Sequence, residues 1–212
     1  MKTNTEPSPA REQTAGRKTT RIWQLAAAAA VLILLLFAAR QVFFPAREVL
    51  LTGIWINENE AAADTTALTA QMEIALEADV RRQTVRLESG FAASPKDGIW
   101  DFSSPSRLKK LLSGGQLDFI VTDEDTAAAL IGAGRAASLA SFFTPAEQAS
   151  LAGRMESADG LFGYALDLTG ARYLPKNGPA PQARLFLIAK DAPHPEAVRR
   201  FLEFVLPDRT FP

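Results

Sequence analysis

Residues 159–206 read DGLFGYALDLTGARYLPKNGPAPQARLFLIAKDAPHPEAVRRFLEFVL. Two apolar runs, Leu161–Leu166 and Arg184–Ala189, predict two buried strands joined by a loop rich in proline and glycine. Pro195 suits the first position of a helix, and the apolar residues after it recur at the spacing of one buried helical face. Those apolar residues are Val198, Phe201, Leu202 and Val205. The segment predicts a strand–loop–strand–helix unit against which the upstream chain packs.

The composition fits one globular domain with a tail or an anchor. The chain has 212 residues, of which 47% are hydrophobic, and this is enough for a sizeable core. Its 23 basic and 24 acidic residues nearly cancel, which argues against a protein held on nucleic acid by counterion release. Because the chain contains no cysteine, disulfides, thiolate catalysis and cysteine-based zinc sites are excluded.

The N-terminal region predicts a membrane anchor. Residues 1–21 are polar and basic without hydrophobic periodicity, which is typical of a disordered tail. The next run, IWQLAAAAAVLILLLFAA at residues 22–39, has Gln24 as its only polar side chain, and Phe43 and Phe44 extend its apolar character. We therefore predict a transmembrane helix at residues 22–44. The excess of basic residues before it places the N-terminal tail in the cytoplasm and residues 45–212 outside.

Two other interpretations of the apolar run stay open. A cleaved signal peptide requires small residues at −3 and −1, whereas cleavage after Ala39 or Ala46 would place Phe37 or Phe44 at −3. A buried core helix would also suit an alanine-rich run of this length. A hydrophobic helix behind a basic tail at a chain terminus favours the anchor.

Residues 45–212 alternate between strand and helix patterns, which predicts an α/β domain. Val49–Ile56 reads as a strand, and apolar residues at every fourth position from Leu68 to Val80 predict a helix that begins at Asp64. Thr84–Leu87 completes a strand–helix–strand unit, which favours a mostly parallel sheet with flanking helices. The remaining predicted elements are a helix at Ser104–Gly114, a strand at Leu117–Thr122, a helix from Asp123 through Ile131, and a helix from a capping box at Thr144 to Gly153.

Three segments follow one another in an order that resembles a known family: Leu111–Ala133, Gly160–Asp167 and Leu185–Val205. The first reads LLSGGQLDFIVTDEDTAAALIGA, the second GLFGYALD and the third LFLIAKDAPHPEAVRRFLEFV. They are similar to parts of the extracellular solute-binding proteins of bacterial uptake systems, especially the type II periplasmic-binding fold. The first resembles the family's helix, its glycine–aspartate–strand turn and the next helix. The second and third resemble the hinge strand and the return strand with its helix.

The chain departs from that family between the second and third segments. In two-lobed members the second lobe lies between the hinge strand and the return strand, whereas here the interval is only the sixteen residues Leu168–Ala183. An interval of this length cannot hold a lobe. Since such proteins enclose solutes between two closing domains, the resemblance implies a single lobe rather than a conventional transport receptor.

The carboxyl ends of the strands supply the candidate site. Ligands of open α/β sheets bind beyond those ends, near the point where the strand order reverses. The same residues are also typical of solvated loops and helix caps, and a one-sided cleft buries too little of a small ligand. The candidates are Asn57, Glu58 and Asn59 after the first strand, Thr122 and Asp123 after the third, Tyr164 and Asp167 on the hinge strand, and Trp100, an aromatic that could stack on a sugar.

The sequence shows no recognisable catalytic, metal or cofactor motif. Asp123, Glu124 and Asp125 point in different directions around a predicted helix start, with no second ligand group. His194 is the only histidine, so it forms no common zinc site, and we interpret it as part of a helix start. No G-x-S-x-G motif is present, and the glycine pairs lack the P-loop lysine and the dinucleotide spacing.

The sequence therefore predicts a membrane-anchored, extracytoplasmic and non-catalytic binding module that holds a protein partner or a cell-envelope component. A second interpretation is a small-molecule receptor or sensor associated with an uptake system, whose cleft a partner completes. A third is an enzyme of unrecognised type, which would need a compact cluster of titratable groups. The basic patch of Arg81, Arg82 and Arg86 is typical of a solvated face, although it could contact anionic lipid or polymer.

Overall fold

The computed structural model of the protein describes residues 27, 29–36, 46–57, 65–96, 99–102, 105–156, 161, 163–171 and 184–206, with the backbone alone at 94–96, 99–102, 105 and 156. The chain divides into two compact units, Met1–Ala46 and Arg47–Pro212. The predicted tail at residues 1–21 lies outside the described residues.

The first unit contains a helix. Residues 27 and 29–36 form helix α1, and six consecutive large apolar side chains, from Val31 to Leu36, are each between 56% and 68% exposed. A helix that is apolar all round is stable only in apolar surroundings. Among the described residues, no helix is both long enough and apolar enough to span a bilayer. The predicted span at residues 22–44 extends beyond those residues on both sides and stays a prediction.

The second unit combines a five-stranded sheet, a two-stranded hairpin and flanking helices, so the predicted α/β class is confirmed. The sheet contains β1 (Glu48–Ile56), β2 (Gln83–Phe91), β5 (Phe119–Thr122), β6 (Ala165–Asp167) and β7 (Leu185–Ile188), and the hairpin contains β3 (Ala93–Lys96) and β4 (Ile99–Phe102). The helices are α2 (Thr65–Ala75), α3 (Pro105–Ser113), α4 (Glu124–Gly132), α5 (Leu139–Phe142), α6 (Pro145–Glu156) and α7 (Pro195–Val205).

The sheet has the order β2-β1-β5-β7-β6 and is mixed. β1 is parallel to both β2 and β5, which confirms the predicted strand–helix–strand unit. β7 is antiparallel to both of its neighbours, β5 and β6. Four strands therefore run in one direction and β7 runs in the other. The reversal arises because β7 follows β6 in the chain and lies next to it in the sheet as its antiparallel neighbour.

Two apolar layers cover the two faces of the sheet. One contains buried side chains of α2, α6 and α7, and the other contains buried side chains of α3 and α4. Phe119 lies at the centre of the first layer, with its ring centroid 4.4 Å from Phe201 and 5.0 Å from Phe186. The four apolar residues predicted for one face of α7 are all buried, as expected from their spacing. They are Val198, Phe201, Leu202 and Val205.

Several predicted boundaries are wrong. α2 ends at Ala75 because Glu77 adopts a left-handed φ of 53°, so Val80 lies in the following turn instead of on the helix. α6 continues past Gly153 to Glu156. The predicted strand Leu161–Leu166 begins only at Ala165, since the N–H groups of Tyr164 and Ala165 turn back to the Leu161 carbonyl.

A capping box and an arginine join α5, α6 and α7. The predicted box is confirmed: the Thr144 N–H donates to Glu147 Oε2 at 2.6 Å, and the Glu147 N–H donates to Thr144 Oγ1 at 3.3 Å. Arg199 of α7 donates to Glu147 Oε1 at 3.2 Å and to the Phe142 carbonyl at 2.6 Å. Burial alone would raise the pKa of Glu147, but the hydrogen bonds from Thr144 and the Arg199 charge outweigh it and lower that pKa below its usual value of 4.5.

We expect Glu147 to stabilise the fold at neutral pH and to lose that contribution in acid. Because its folded-state pKa lies below the unfolded value of 4.5, the contribution is present above that pH and is lost as the pH falls through the folded-state pKa. Glu147→Gln should lower the free energy of unfolding by about 1–2 kcal/mol at neutral pH and by much less in acid. Urea titrations at several pH values measure this difference.

Glu196→Gln is the matched control for that experiment. Glu196 also contacts Arg199, at 2.8 Å, but its side chain is 82% exposed, so its loss should change the free energy of unfolding by less than about 0.5 kcal/mol. An equal loss for Glu147→Gln at neutral and acid pH would contradict the role given to the Glu147 charge.

Candidate functional site

The carboxyl ends of β1 and β5 bring Asn57 and Asp123 into contact. Asn57 Nδ2 lies 2.5 Å from Asp123 Oδ2 and 2.9 Å from Thr126 Oγ1. Asp123 also caps α4, because its Oδ1 accepts from the Thr126 N–H at 2.9 Å. The structure thus brings together the residue that follows β1 and the residue that follows β5, as the strand-end rule predicts.

The polar groups of Asn57 and Asp123 form hydrogen bonds with each other and with neighbouring groups of the protein. Asn57 Oδ1 accepts from the Ala93 N–H, and Asn57 Nδ2 donates to the Ala93 carbonyl, both at 2.7 Å. Both carboxylate oxygens of Asp123 accept hydrogen bonds, from Thr126 and Asn57. Asn57 has a left-handed φ of 60°, which asparagine tolerates better than most residues. The pair therefore joins β1, β3 and α4.

Thr122 and Asp167 lie at the same edge of the sheet. Leu185 of β7 pairs with Thr122 of β5 on one side and with Asp167 of β6 on the other. Thr122 is fully buried, and within the described part of the chain its hydroxyl oxygen has no hydrogen-bond partner. Asp167 Oδ1 accepts from the Thr169 N–H at 2.7 Å, which closes a local turn. Since β7 separates the two residues, they do not form one cluster with Asp123.

Of the other predicted residues, only Tyr164 has a described side chain. Tyr164 precedes β6, which runs parallel to β5, so Tyr164 lies at the opposite end of the sheet and its expected place is wrong. Trp100 belongs to β4 and pairs with Pro95, and its side chain is outside the described residues. Glu58 and Asn59 also lie outside them.

A polar contact that the sequence did not predict lies at the amino end of β5. Asp118 is fully buried, and its carboxylate accepts from the Thr52 N–H at 2.7 Å and from the His194 N–H at 2.8 Å. The His194 Nδ1 lies 3.0 Å from Asp118 Oδ2. His194 immediately precedes α7, which confirms its interpretation as part of a helix start. One carboxylate therefore joins β1, β5 and the start of α7.

A carboxylate–imidazole pair is also part of many general-base sites. In those sites a third group, usually a hydroxyl, contacts the second ring nitrogen. Because Nδ1 of His194 faces the Asp118 carboxylate, we place a proton on Nδ1, which donates to that carboxylate. Within the described residues, no hydroxyl hydrogen-bonds to the His194 ring. In the described part of the chain, the pair connects the residue before β5 to the start of α7.

A sequence signal for this contact does exist. Asp118 is a charged residue directly before β5, a strand of four buried residues, and a buried carboxylate requires donors. What the sequence does not supply is the position of β7 beside β5, which brings His194 to Asp118.

A cavity of about 250 Å³ lies near the same end of the sheet, between the carboxyl ends of α3 and α4. Leu111, Leu117 and Ile120 contribute its apolar surface, and Arg135, Lys190 and Asp191 contribute charged groups. The volume is below the roughly 300–1,000 Å³ that is usual for small-molecule sites. The cavity is therefore a weak candidate for a ligand site.

Neither a metal site among the described residues nor a match to a known protein identifies the chain. Among the described residues, no three histidine, cysteine, aspartate or glutamate side chains are grouped to hold a metal ion. Comparison of the chain with protein-family models, curated proteins and solved structures finds no match. The resemblance to solute-binding proteins stays a prediction from the sequence segments.

Proposed function

We propose that the chain is a membrane-anchored, extracytoplasmic, non-catalytic binding module that resembles one lobe of a solute-binding protein and holds a protein partner or a cell-envelope component. The observation that carries the proposal is the pairing of β6 with β7. The strands that resemble the hinge and return strands are direct antiparallel neighbours, with Asp167 opposite Leu185. Seventeen residues, Leu168–Arg184, connect these adjacent strand ends, and they are too few for a second lobe.

The carboxyl edge of the sheet is better suited to contact with a protein or polymer partner than to enclosing a small ligand. The side chains of Asn57 and Asp123 hydrogen-bond to each other and to neighbouring groups, so a small ligand would have to break these bonds. Glu124 and Asp125 are exposed in the first turn of α4. A partner with basic groups can contact these two carboxylates without disturbing the underlying hydrogen bonds.

The membrane part of the proposal is supported by α1. Its consecutive apolar side chains are exposed, from Val31 to Leu36, and such a surface is suited to lipid. The chain is then a single-pass protein of the cell membrane, with residues 22–44 in the bilayer and residues 45–212 outside.

Protease added to intact cells should remove the part of the chain after Pro45 and leave the N-terminal tail protected. The expected result follows from the basic residues that precede the predicted span. Epitopes at the two termini, detected separately, measure it. Permeabilised cells are the control, because both epitopes should then be lost. Protection of the C-terminal epitope in intact cells, with digestion after permeabilisation, would contradict the orientation.

Thr122 favours the second candidate function, a small-molecule receptor or sensor whose cleft a partner completes. A buried hydroxyl without a hydrogen-bond partner is uncommon in folded proteins, and Thr122, whose hydroxyl has none among the described residues, lies at the carboxyl end of β5. A ligand that binds only the folded state raises the melting temperature. A metabolite that raises the melting temperature of the full chain, but not that of Thr122→Val, would therefore favour the receptor over the partner-binding module.

A further inference from the structure

Two large apolar side chains are exposed, one in the last turn of α2 and one in the turn that follows it, and two arginines come directly after the second. Ile74, in the last turn of α2, is 77% exposed, and Val80 is 55% exposed. Within the described part of the second unit, Tyr164 is the only other large hydrophobic side chain with comparable exposure. Arg81 and Arg82 follow Val80 and are both exposed. A surface that combines apolar side chains with basic ones is typical of contact with a membrane interface.

Backbone hydrogen bonds hold the turn in one shape. The Arg82 and Gln83 N–H groups donate to the Asp79 carbonyl at 2.8 and 2.6 Å. The Arg81 N–H donates to Asp79 Oδ1 at 3.0 Å. Val80, Arg81 and Arg82 therefore form a short, hydrogen-bonded tip after α2.

The acidic residues near the tip do not pair with its two guanidinium groups. Glu73 accepts from the Thr84 hydroxyl and the Val85 N–H, and Asp79 faces the Arg81 backbone. Glu48 faces Gln83, and Glu77 is exposed. In the described part of the chain, neither Arg81 nor Arg82 has an ion-pair or side-chain hydrogen-bond partner. Both guanidinium groups are available to an external anion.

The tip lies beside the residue at which the chain begins β1. The Glu48 N–H donates to the Arg82 carbonyl at 2.7 Å. Phe44, the last residue of the predicted span, is four positions before Glu48, and four residues extend at most about 14 Å. The residue to which the Arg82 carbonyl is hydrogen-bonded is therefore only four positions along the chain from the end of the predicted span.

We propose that Ile74, Val80, Arg81 and Arg82 bind phospholipid headgroups of the extracytoplasmic leaflet, an inference that rests on the proposed anchor. The guanidinium groups bind lipid phosphate, for which their planar donor pairs are suited. Ile74 and Val80 insert between the headgroups.

The absence of cysteine makes a direct test simple. In the full chain, Val80→Cys provides a single site for a nitroxide label, and Asp125→Cys provides a control site at the opposite edge of the sheet. Each labelled chain is placed in vesicles of phosphatidylglycerol and phosphatidylethanolamine, and in vesicles of phosphatidylcholine alone. Collision rates of the label with oxygen and with a water-soluble nickel complex measure its depth.

We expect the Val80 label to be shielded from nickel in the anionic vesicles and the Asp125 label to be accessible in both kinds of vesicle. Each arginine near an anionic surface contributes about a factor of five in binding. Combining Arg81→Glu with Arg82→Glu should therefore lower the ratio of bound to free tip by at least about 25-fold in anionic vesicles. The double substitution also separates arginine-dependent binding from insertion driven by the label itself.

Failure of the headgroup contact and failure of the membrane anchor give different results. If the chain floats with the vesicles but the Val80 label is as accessible as the Asp125 label, the headgroup contact is refuted and the anchor stands. If the Val80 label is equally shielded after both arginines are replaced, binding through lipid phosphate is refuted. If the chain does not float with the vesicles, the anchor fails and the headgroup contact fails with it.

Discussion

Replacing Gly53 with alanine is expected to destabilise the second unit by about 3 kcal/mol or more. A Cβ atom on Gly53 would overlap the Phe119 ring, reaching within 2.5 Å of both Cε1 and Cε2. Phe119 cannot move aside easily, because its ring stacks on Phe186 and Phe201 and meets the edge of Trp55 at 5.6 Å between centroids. The backbone of β1 or β5 would have to shift instead.

Urea unfolding of the full chain, followed by tryptophan fluorescence, measures the effect of Gly53→Ala. Gly153→Ala is the matched control, since a Cβ atom there meets nothing within 4 Å and a helical glycine costs about 0.5–1 kcal/mol relative to alanine. The control should therefore raise stability. In a Phe119→Leu background, Gly53→Ala should cost less than about 1 kcal/mol. An equal cost in both backgrounds would show that Phe119 is not the cause.

Asp118→Ala is expected to lower the free energy of unfolding by about 3–5 kcal/mol. The substitution removes an acceptor shared by the Thr52 N–H, the His194 N–H and His194 Nδ1. The Thr52 and His194 N–H groups would lose their partner where β1, β5 and α7 meet. Urea titrations of the full chain measure the loss.

His194→Ala separates the imidazole from the backbone donors. It removes only the bond to Nδ1, from a side chain that is one-third exposed, and should cost about 1 kcal/mol. The stability cost of Asp118→Asn should lie between the costs of Asp118→Ala and His194→Ala. The amide keeps one acceptor oxygen, but its NH2 group is a donor that faces other N–H groups. If His194→Ala cost as much as Asp118→Ala, the role assigned to the backbone donors would be wrong.

Local elements of the fold could be predicted where the signal was contained in a short stretch. The spacing of Val198 to Val205 identifies the buried face of α7 without further information. Thr144 and Glu147 identify the start of α6 because a capping box needs only four residues. The end of α2 was predicted too late, because a non-glycine residue, Glu77, adopts the left-handed conformation that ends the helix.

The hairpin of β3 and β4 was missed although its signal is present. Asp97 and Gly98 lie between the two strands, and an Asp-Gly pair between strand-forming residues is typical of a tight hairpin. No element is predicted there in the sequence analysis, whereas Trp100 belongs to β4.

The residues of the candidate site also differ in whether the sequence could predict their positions. Asn57 and Asp123 were predicted together because the carboxyl ends of neighbouring parallel strands meet at one edge. Tyr164 was misplaced because the start of β6 was set too early. Asp118 and His194 are 76 positions apart, and only the antiparallel placement of β7 beside β5 brings them together. Long-range pairing of this kind is not encoded in any local pattern.

Site-specific photo-crosslinking in intact cells tests the central claim, that the carboxyl edge of the sheet binds a partner in the cell envelope. A photoreactive amino acid replaces Asp125 at that edge or, as a control, Glu203 on the exposed face of α7. We predict an adduct of defined size with the probe at position 125 and none with the probe at position 203. No adduct at position 125, or the same adducts at both positions, would contradict the account.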